Sequence, residues 1–179
     1  MSTPNLQLVI DGVGALEVHT LRGKESISDA WRFDVSASGL AEDDATRLAL
    51  GQRAKLVLNV GAAPREFNGV VSAVRLDEVN PVTATVRHSF RVVPRLWLLR
   101  NNQRTRIFQN KRIIDVVAEV LAAAQIAVRW TLVRSYPSRE YCTQYEESDY
   151  AFVRRLLAEA GIYFRFYAGG PGGPSGLEA

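Results

Sequence analysis

The sequence predicts an α+β chain, mainly β: an antiparallel β-barrel followed by a mixed α/β segment. Three observations predict it. From Leu6 to about Val93, apolar and polar residues alternate in six short runs with no long helix between them. Past Pro94 the period changes, and apolar residues recur at offsets of three and four. With 179 residues, 47% hydrophobic and 23% charged, the chain lies in the globular range and allows one large or two small domains.

The β elements follow in order. Leu6, Leu8 and Ile10 alternate and are followed by the turn signal Asp11-Gly12. Leu16 and Val18 start a second strand that ends near Gly23-Lys24, and Trp31, Phe33 and Val35 form the buried face of a third. Glu42-Asp43-Asp44 opens a short helical patch through Leu50, closed by Gly51. Leu56, Leu58 and Val60 make a fourth strand, and Phe67 to Val71 starts a fifth, in which Gly69 marks a bulge or a close backbone approach. After Asn80-Pro81, Val86, His88, Phe90 and Val92 share one face of a sixth. Six strands at this spacing make a barrel or sandwich, and a barrel leaves no unpaired edge.

The second half mixes periods. Leu96 to Leu99 is an apolar cluster too short to assign, and Arg106-Ile107-Phe108 suits a short strand. Ile113, Val117, Val120, Leu121 and Ala124 give a helical stripe, with Lys111 and Asp115 four apart beside it. Val128 to Trp130 and Tyr141 to Tyr145 read as strands. Ser148 can cap a helix that carries Asp149 in its first turn, and Gly161 can end that helix in the left-handed conformation. Ile162, Phe164 and Phe166 then return to alternation. The expected divisions are a barrel over 1–97, a mixed domain with two helices over 98–161, a strand over 162–168 and a flexible Gly/Pro tail over 169–179.

Charge is unevenly placed. The net charge is +3, yet no acidic residue lies between Val79 and Ile114, where Arg87, Arg91, Arg95, Arg100, Arg104, Arg106, Lys111 and Arg112 fall. Such a block reads either as a surface for an acidic partner or nucleic acid, or as a solvated strand face. Trp97 within its apolar cluster reads either as a partner-facing anchor or as a plug of one barrel end. The candidate interface read from charge and apolar clustering is therefore Arg87, Arg91, Arg95, Trp97, Arg100, Arg104 and Arg106.

Catalytic chemistry finds little purchase. His19, His88 and Cys142 are too scattered for a metal set, so no metal or cofactor is expected. Cys142 and His88 lack any protease context and read as a small buried thiol and a strand histidine. Asp43-Asp44 and Glu146-Glu147 lack the apolar surroundings that would set one carboxyl's pKa apart for acid–base work. No nucleophile elbow, dinucleotide fingerprint or phosphate loop is present, so the chain is read as a non-enzyme. One cysteine excludes an internal disulfide, the start Met1-Ser2-Thr3-Pro4-Asn5 has no signal-peptide character, and no apolar run reaches the roughly 20 residues of a membrane helix.

One stretch is far more specific. Tyr136-Pro137-Ser138-Arg139-Glu140-Tyr141-Cys142-Thr143-Gln144-Tyr145-Glu146-Glu147-Ser148-Asp149, then Phe152-Val153-Arg154-Arg155-Leu156-Leu157 and Glu159-Ala160-Gly161-Ile162-Tyr163, resembles the signature of the VgrG family. Phe67-Asn68-Gly69-Val70-Val71, Pro94 to Leu99, Arg106 to Lys111 and Ile114 to Val117 resemble further family segments in the same order. Because they lie in the signature, Arg139 and Glu140 join the candidate interface; they read either as Arg139 at an interface with Glu140 paired to it, or as charges that fix the loop against the helix start.

VgrG proteins form the spike and hub of the bacterial type VI secretion system and are similar to the hubs of contractile phage tails. The resemblance implies an N-terminal piece with a phage-hub-like fold. Its strand over 162–168 would begin a second barrel. It also implies a structural role: docking on the hexameric tube and ejection by sheath contraction. The partners implied are two further copies in a trimer, an Hcp-type tube hexamer, baseplate proteins and effectors. The implied location is the cytoplasm before assembly, then outside the cell by way of the type VI machine. A nucleic-acid-binding β-barrel module and a phage tail baseplate hub protein stand as alternatives.

Overall fold

The computed structural model describes residues 5–39, 48–59, 64–80, 85–167 and 176–179. The chain divides into two units, the first formed by residues 1–25 with 31–94 and the second by 26–30 with 95–179. The first unit thus ends at Pro94, three residues before the expected boundary, and cedes Ser26–Ala30 to the second.

The first unit is a closed antiparallel barrel. Its strands are β1 (Asn5–Ile10), β2 (Gly14–Lys24), β3 (Arg32–Ser38), β4 (Arg53–Asn59), β5 (Arg65–Asn80) and β6 (Thr85–Val93), in the order β1-β2-β3-β6-β5-β4, with β4 returning to β1. Alternation fixes the register, since a slip by one residue would turn every apolar side chain outward. Leu8 lies opposite Leu16 on one side and Leu56 on the other, and Val35 lies opposite Leu21 and Phe90. Leu8, Ile10, Val35, Leu56, Phe90 and Val92 are fully buried, each contributing about 2 kcal/mol by leaving water. Register shifts at Val18/Thr20, Val71/Ala73 and Leu76/Glu78 add the local bend and twist that closure needs.

Gly69 is the close approach expected of it. A Cβ there would lie 2.3 Å from the Val93 carbonyl oxygen and 2.6 Å from the Trp31 ring. Trp31 in turn packs with Phe33 and Phe67, at centroid separations of 5.5 and 5.6 Å and tilted geometries that suit aromatic quadrupoles. Of the expected helical patch, Leu48 and Ala49 are helical, and residues 42–47 lie outside the described residues.

The second unit joins α1 (Arg95–Leu98), a 3-10 turn (Leu99–Asn101), β7 (Arg104–Arg112), α2 (Ile113–Ala123), β8 (Val128–Arg129), β9 (Ser138–Glu147), α3 (Asp149–Glu159), β10 (Arg165–Tyr167) and β11 (Gly176–Glu178). The apolar cluster at 96–99 is therefore helical. The strands expected at Arg106–Phe108 and Tyr141–Tyr145 are both longer than expected: β7 has nine residues and β9 ten, paired antiparallel as one ribbon. The core gathers Phe108, Val116, Val117, Val120 and Leu121 with Phe152, Val153, Leu156 and Leu157. Phe108 stacks on Phe152 at 5.7 Å.

Two expectations for the C-terminal stretch need correction. The strand after α3 starts at Arg165 and pairs with β11, and β11 runs parallel to β8, so its partners lie inside this unit. The run expected as a tail over 169–179 contributes that strand: Leu177 is fully buried and its amide donates to Ala127 O at 3.0 Å. One buried leucine and a ladder on both sides outweigh the poor strand propensity of the glycines around it. Residues 169–175 lie outside the described residues.

Candidate protein interface

The signature stretch folds around one buried carboxylate. Ser148 Oγ accepts from the Ala151 amide at 3.1 Å, which caps α3. Asp149 follows in the first turn, where the helix dipole favours a negative charge. Its side chain is 8% exposed and is held by Arg106, Arg104, Gln144 and Asn102. Arg106 Nη2 reaches Oδ1 at 2.6 Å and Arg104 Nε reaches Oδ2 at 3.3 Å. Gln144 Nε2 donates to Oδ1 at 2.9 Å and Asn102 Nδ2 to Oδ2 at 2.7 Å, while the Asp149 amide donates to Asn102 Oδ1 at 2.9 Å. Gln144 Oε1 also accepts from Arg106 Nε at 2.7 Å. A buried charge is tolerable only with its lone pairs satisfied this fully. The helix start, the ribbon and the turn before β7 are thereby held in one register.

A second cluster forms around Asp29 and Tyr150. The Tyr150 hydroxyl donates to Asp29 and accepts from the Ala30 amide at 3.0 Å. Arg100 lies 4.1 Å over the Tyr150 ring and 3.3 Å from Asp29 Oδ1. Burial pushes the Asp29 carboxyl up, but the Tyr150 hydroxyl, the Ala30 amide, Arg154 and Arg100 together outweigh it and leave the group below its ordinary value. Burial and the Asp29 bond both push the Tyr150 phenol up. A third set ties β9 to α3: Arg155 bonds Glu147 at 2.5 Å and Glu159 at 2.9 Å, and Arg139 bonds Glu159 at 2.9 Å.

The nine sequence candidates fall in both units. Arg87 and Arg91 are on barrel strand β6, paired with Glu78 at 3.3 Å and Asp34 at 2.7 Å. Arg95 donates to Ala124 O at 3.4 Å, and Trp97 is half-buried beneath Arg100. Arg104 and Arg106 converge on Asp149. Arg139 does not pair with Glu140, as one reading had it, but with Glu159; Glu140 is exposed. The expected Lys111–Asp115 pair is likewise exchanged: Lys111 takes Glu119 and Arg112 takes Asp115 at 2.7 Å. The basic block is thus largely matched by carboxylates, nearby in sequence for Arg87, Lys111 and Arg112 and far away for Arg91, Arg100, Arg104 and Arg106.

The sequence did not single out Asn102, Gln144 or Asp29, because none sits at a recognisable spacing from its partner. It also passed over the outer face of the ribbon. There Ile107, Tyr141 and Tyr145 are 61%, 58% and 67% exposed, with Ile107 registered opposite Thr143 between the two tyrosines. Cys142 faces inward and burial raises its thiol, which disfavours the nucleophilic thiolate. His88 belongs to the other unit. Among the described residues no group of three or more His, Cys, Asp or Glu is placed to hold a metal ion. No helix among them is long and apolar enough to cross a membrane.

Residues 24–173 match the family described as phage tail baseplate hub (GPD), spanning the end of β2, the rest of the barrel and nearly all of the second unit. The chain belongs to this hub family. It is 31% identical over 157 residues to the type VI secretion system spike protein VgrG1b of Pseudomonas aeruginosa, and 34% identical over 167 residues to VgrG4b of the same organism. Those alignments cover 87% and 90% of this chain but 21% and 20% of the relatives, so the chain spans about a fifth of their length. Among solved structures, the E. coli c3393 protein aligns with a TM-score of 0.84 at 28% identity, over 96% of this chain and 48% of its own. That protein is described as a component of the type VI secretion system with structural similarity to the T4 bacteriophage tail proteins gp27 and gp5. The hub-like, mainly β fold with its closed barrel agrees with these likenesses.

Proposed function

We propose that the chain is a structural hub component of a type VI secretion spike, docking on the hexameric tube and ejected with it by sheath contraction. The observation that carries this reading is the match to the hub family over 150 residues, residues 24–173, which takes in most of the closed barrel. The described side chains support a mechanical role: the conspicuous charges cross-link helix, ribbon and turn, and Cys142 is buried with a raised pKa. In this reading three copies assemble into the hub, an Hcp-type hexamer stacks on it, baseplate proteins surround it and effectors travel with it. The protein waits in the cytoplasm and leaves through the machine. Arg87, Arg91, Arg95, Trp97, Arg100, Arg104, Arg106, Arg139 and Glu140 then act mainly by fixing the surfaces that meet these partners.

The test is secretion of the tube subunit. Deleting the gene should abolish release of the Hcp-type protein into the medium, and returning the native gene should restore it. Undiminished release from the deletion strain, with no second hub gene expressed, would overturn the proposal. The nucleic-acid reading loses its motive, because Arg87, Arg91, Arg104, Arg106, Lys111 and Arg112 all face carboxylates.

A further inference from the structure

The outer face of the β7–β9 ribbon is kept free of charge. Register places Ile107 and Gln109 on it from β7, opposite Thr143 and Tyr141 of β9, with Tyr145 two residues further on. By strict alternation the next residues on this face would be Lys111 at one end and Glu147 at the other. Both are drawn to the helices instead: Lys111 bonds Glu119 of α2 and Glu147 bonds Arg155 of α3. The backbone interrupts the alternation at these two places, with Asn110 at φ 52° and Glu146 at φ 46°, both left-handed. Glu146 is fixed in that state by two side chains: Gln103 Nε2 donates to its carbonyl at 2.7 Å, and its amide donates to Thr105 Oγ1 at 3.2 Å. Ile107, Tyr141 and Tyr145 leave about 350 Å² in water, taking roughly 200 Å² for each when fully exposed. That is close to half of the roughly 800 Å² that one partner buries in a standard interface.

A second uncharged face lies on the first unit. Past Val70, its last pair with β4, β5 continues as an arm against β6. On the arm Leu76 lies opposite His88 and Val79 opposite Val86. His88 and Val86 are two apart and share a face, and the register shift between Leu76 and Glu78 brings Leu76 and Val79 onto that face together. The arm's charges are on the other face: Arg75 bonds Asp77 at 2.9 Å, Asp77 also takes the Ser89 hydroxyl, and Glu78 pairs with Arg87 at 3.3 Å. Leu76 and Val79 are 43% and 41% exposed. Among the described residues, every exposed large apolar side chain on a strand belongs to one of these two faces.

We propose that the outer ribbon face of one copy packs on the β5 arm of a second copy, with Leu76 and Val79 lying against Ile107, Tyr141 and Tyr145. The inference rests on the three-copy hub reading. A closed ring of three needs two different surfaces on each chain, one meeting the other on the next copy. The two uncharged faces, one on each unit, supply that pair. A ribbon packed on its own counterpart would close a two-fold contact and stop at two copies. A strongly acidic or basic partner finds no charge to meet on either face, whereas tyrosine with few charges is the composition of an interface core.

The test mixes two variants of the 179-residue chain, Thr143→Cys and Val79→Cys, each keeping the buried Cys142, under oxidised glutathione. The expected result is a mixed disulfide dimer as the main linked product, with little linkage in either protein alone. Adding Tyr145→Asp to the Thr143→Cys protein should cut that product about tenfold; the change is at an exposed position, and an unchanged circular dichroism spectrum confirms that the fold is intact. Linkage mainly between two Thr143→Cys chains would mean that the ribbon pairs with itself and would overturn the arm contact. Linked products in random-collision proportions, none at all, or a yield indifferent to Tyr145→Asp would overturn it too. Release of the Hcp-type protein reads the hub proposal separately, so a failed cross-link beside release that depends on the gene strikes this contact alone.

Discussion

In the barrel, six strands satisfy their backbone groups against one another and the charged side chains stand outside. Arg87 and Arg91 reach across to carboxylates on neighbouring strands with over 40% of each side chain still in water. In the second unit the ribbon has only two strands, and polar side chains take over part of the work. Asp149 is buried beneath Arg104 and Arg106, and Asp29 is held by Tyr150 and Arg100. A closed sheet needs alternation and room for close backbone contact. A small mixed unit needs individual side chains in place, and so concentrates its vulnerability in a few of them.

That contrast can be broken or sharpened by hydrogen exchange read separately on peptides from each unit. Asp149→Ala should have the largest effect, about 3 kcal/mol, because it leaves two arginines and a helix start without their common partner. Exchange should rise in β7, β9 and α3, and faster exchange confined to the barrel would refute the contrast. Gly69→Ala should cost about 2 kcal/mol in the barrel, where the new Cβ meets the Val93 carbonyl and Trp31; unchanged protection of β4 to β6 would show that this approach relaxes freely. Ser148→Ala should cost about 1 kcal/mol, seen as fraying of the first turn of α3.

A smaller effect is expected from pH. The Asp29 carboxyl lies below its ordinary value, so its stabilisation is complete above the unfolded value of about 3.9 and is lost as pH falls through the lower folded value. Asp29→Asn should flatten that part of the acid limb in a thermal-melt series; an unaltered limb would remove Asp29 from the account. Arg87→Gln should be smallest, within about 0.5 kcal/mol, as befits an exposed pair. A urea midpoint shift well beyond that would mean the barrel too depends on particular charges.

The same contrast explains what could be read in advance. Barrel strands announce themselves because period-two alternation is local, and Gly69 is conspicuous inside such a run. The cap at Ser148 and the stop at Gly161 were legible for the same reason. Gly161 takes φ 67° and the Ile162 amide bonds Leu157 O at 2.8 Å, closing the helix as its position suggested. Partner choice was not legible. Asp149 meets Asn102 across 47 residues and Tyr150 meets Asp29 across 121, and nothing in a linear pattern specifies such pairs. β11 was hidden because its one apolar residue, Leu177, is surrounded by turn formers.

Because Ser26–Ala30 belongs to the second unit, the polypeptide passes from one unit to the other three times, at 25/26, 30/31 and 94/95. Pro94 is the obvious seam for a crossover between two related chains. A chimera joined there would inherit Tyr150 and Arg100 from one parent and residue 29 from the other. Exchange at that seam succeeds only between parents that agree on a five-residue loop far upstream, so the heritable module is discontinuous in the gene.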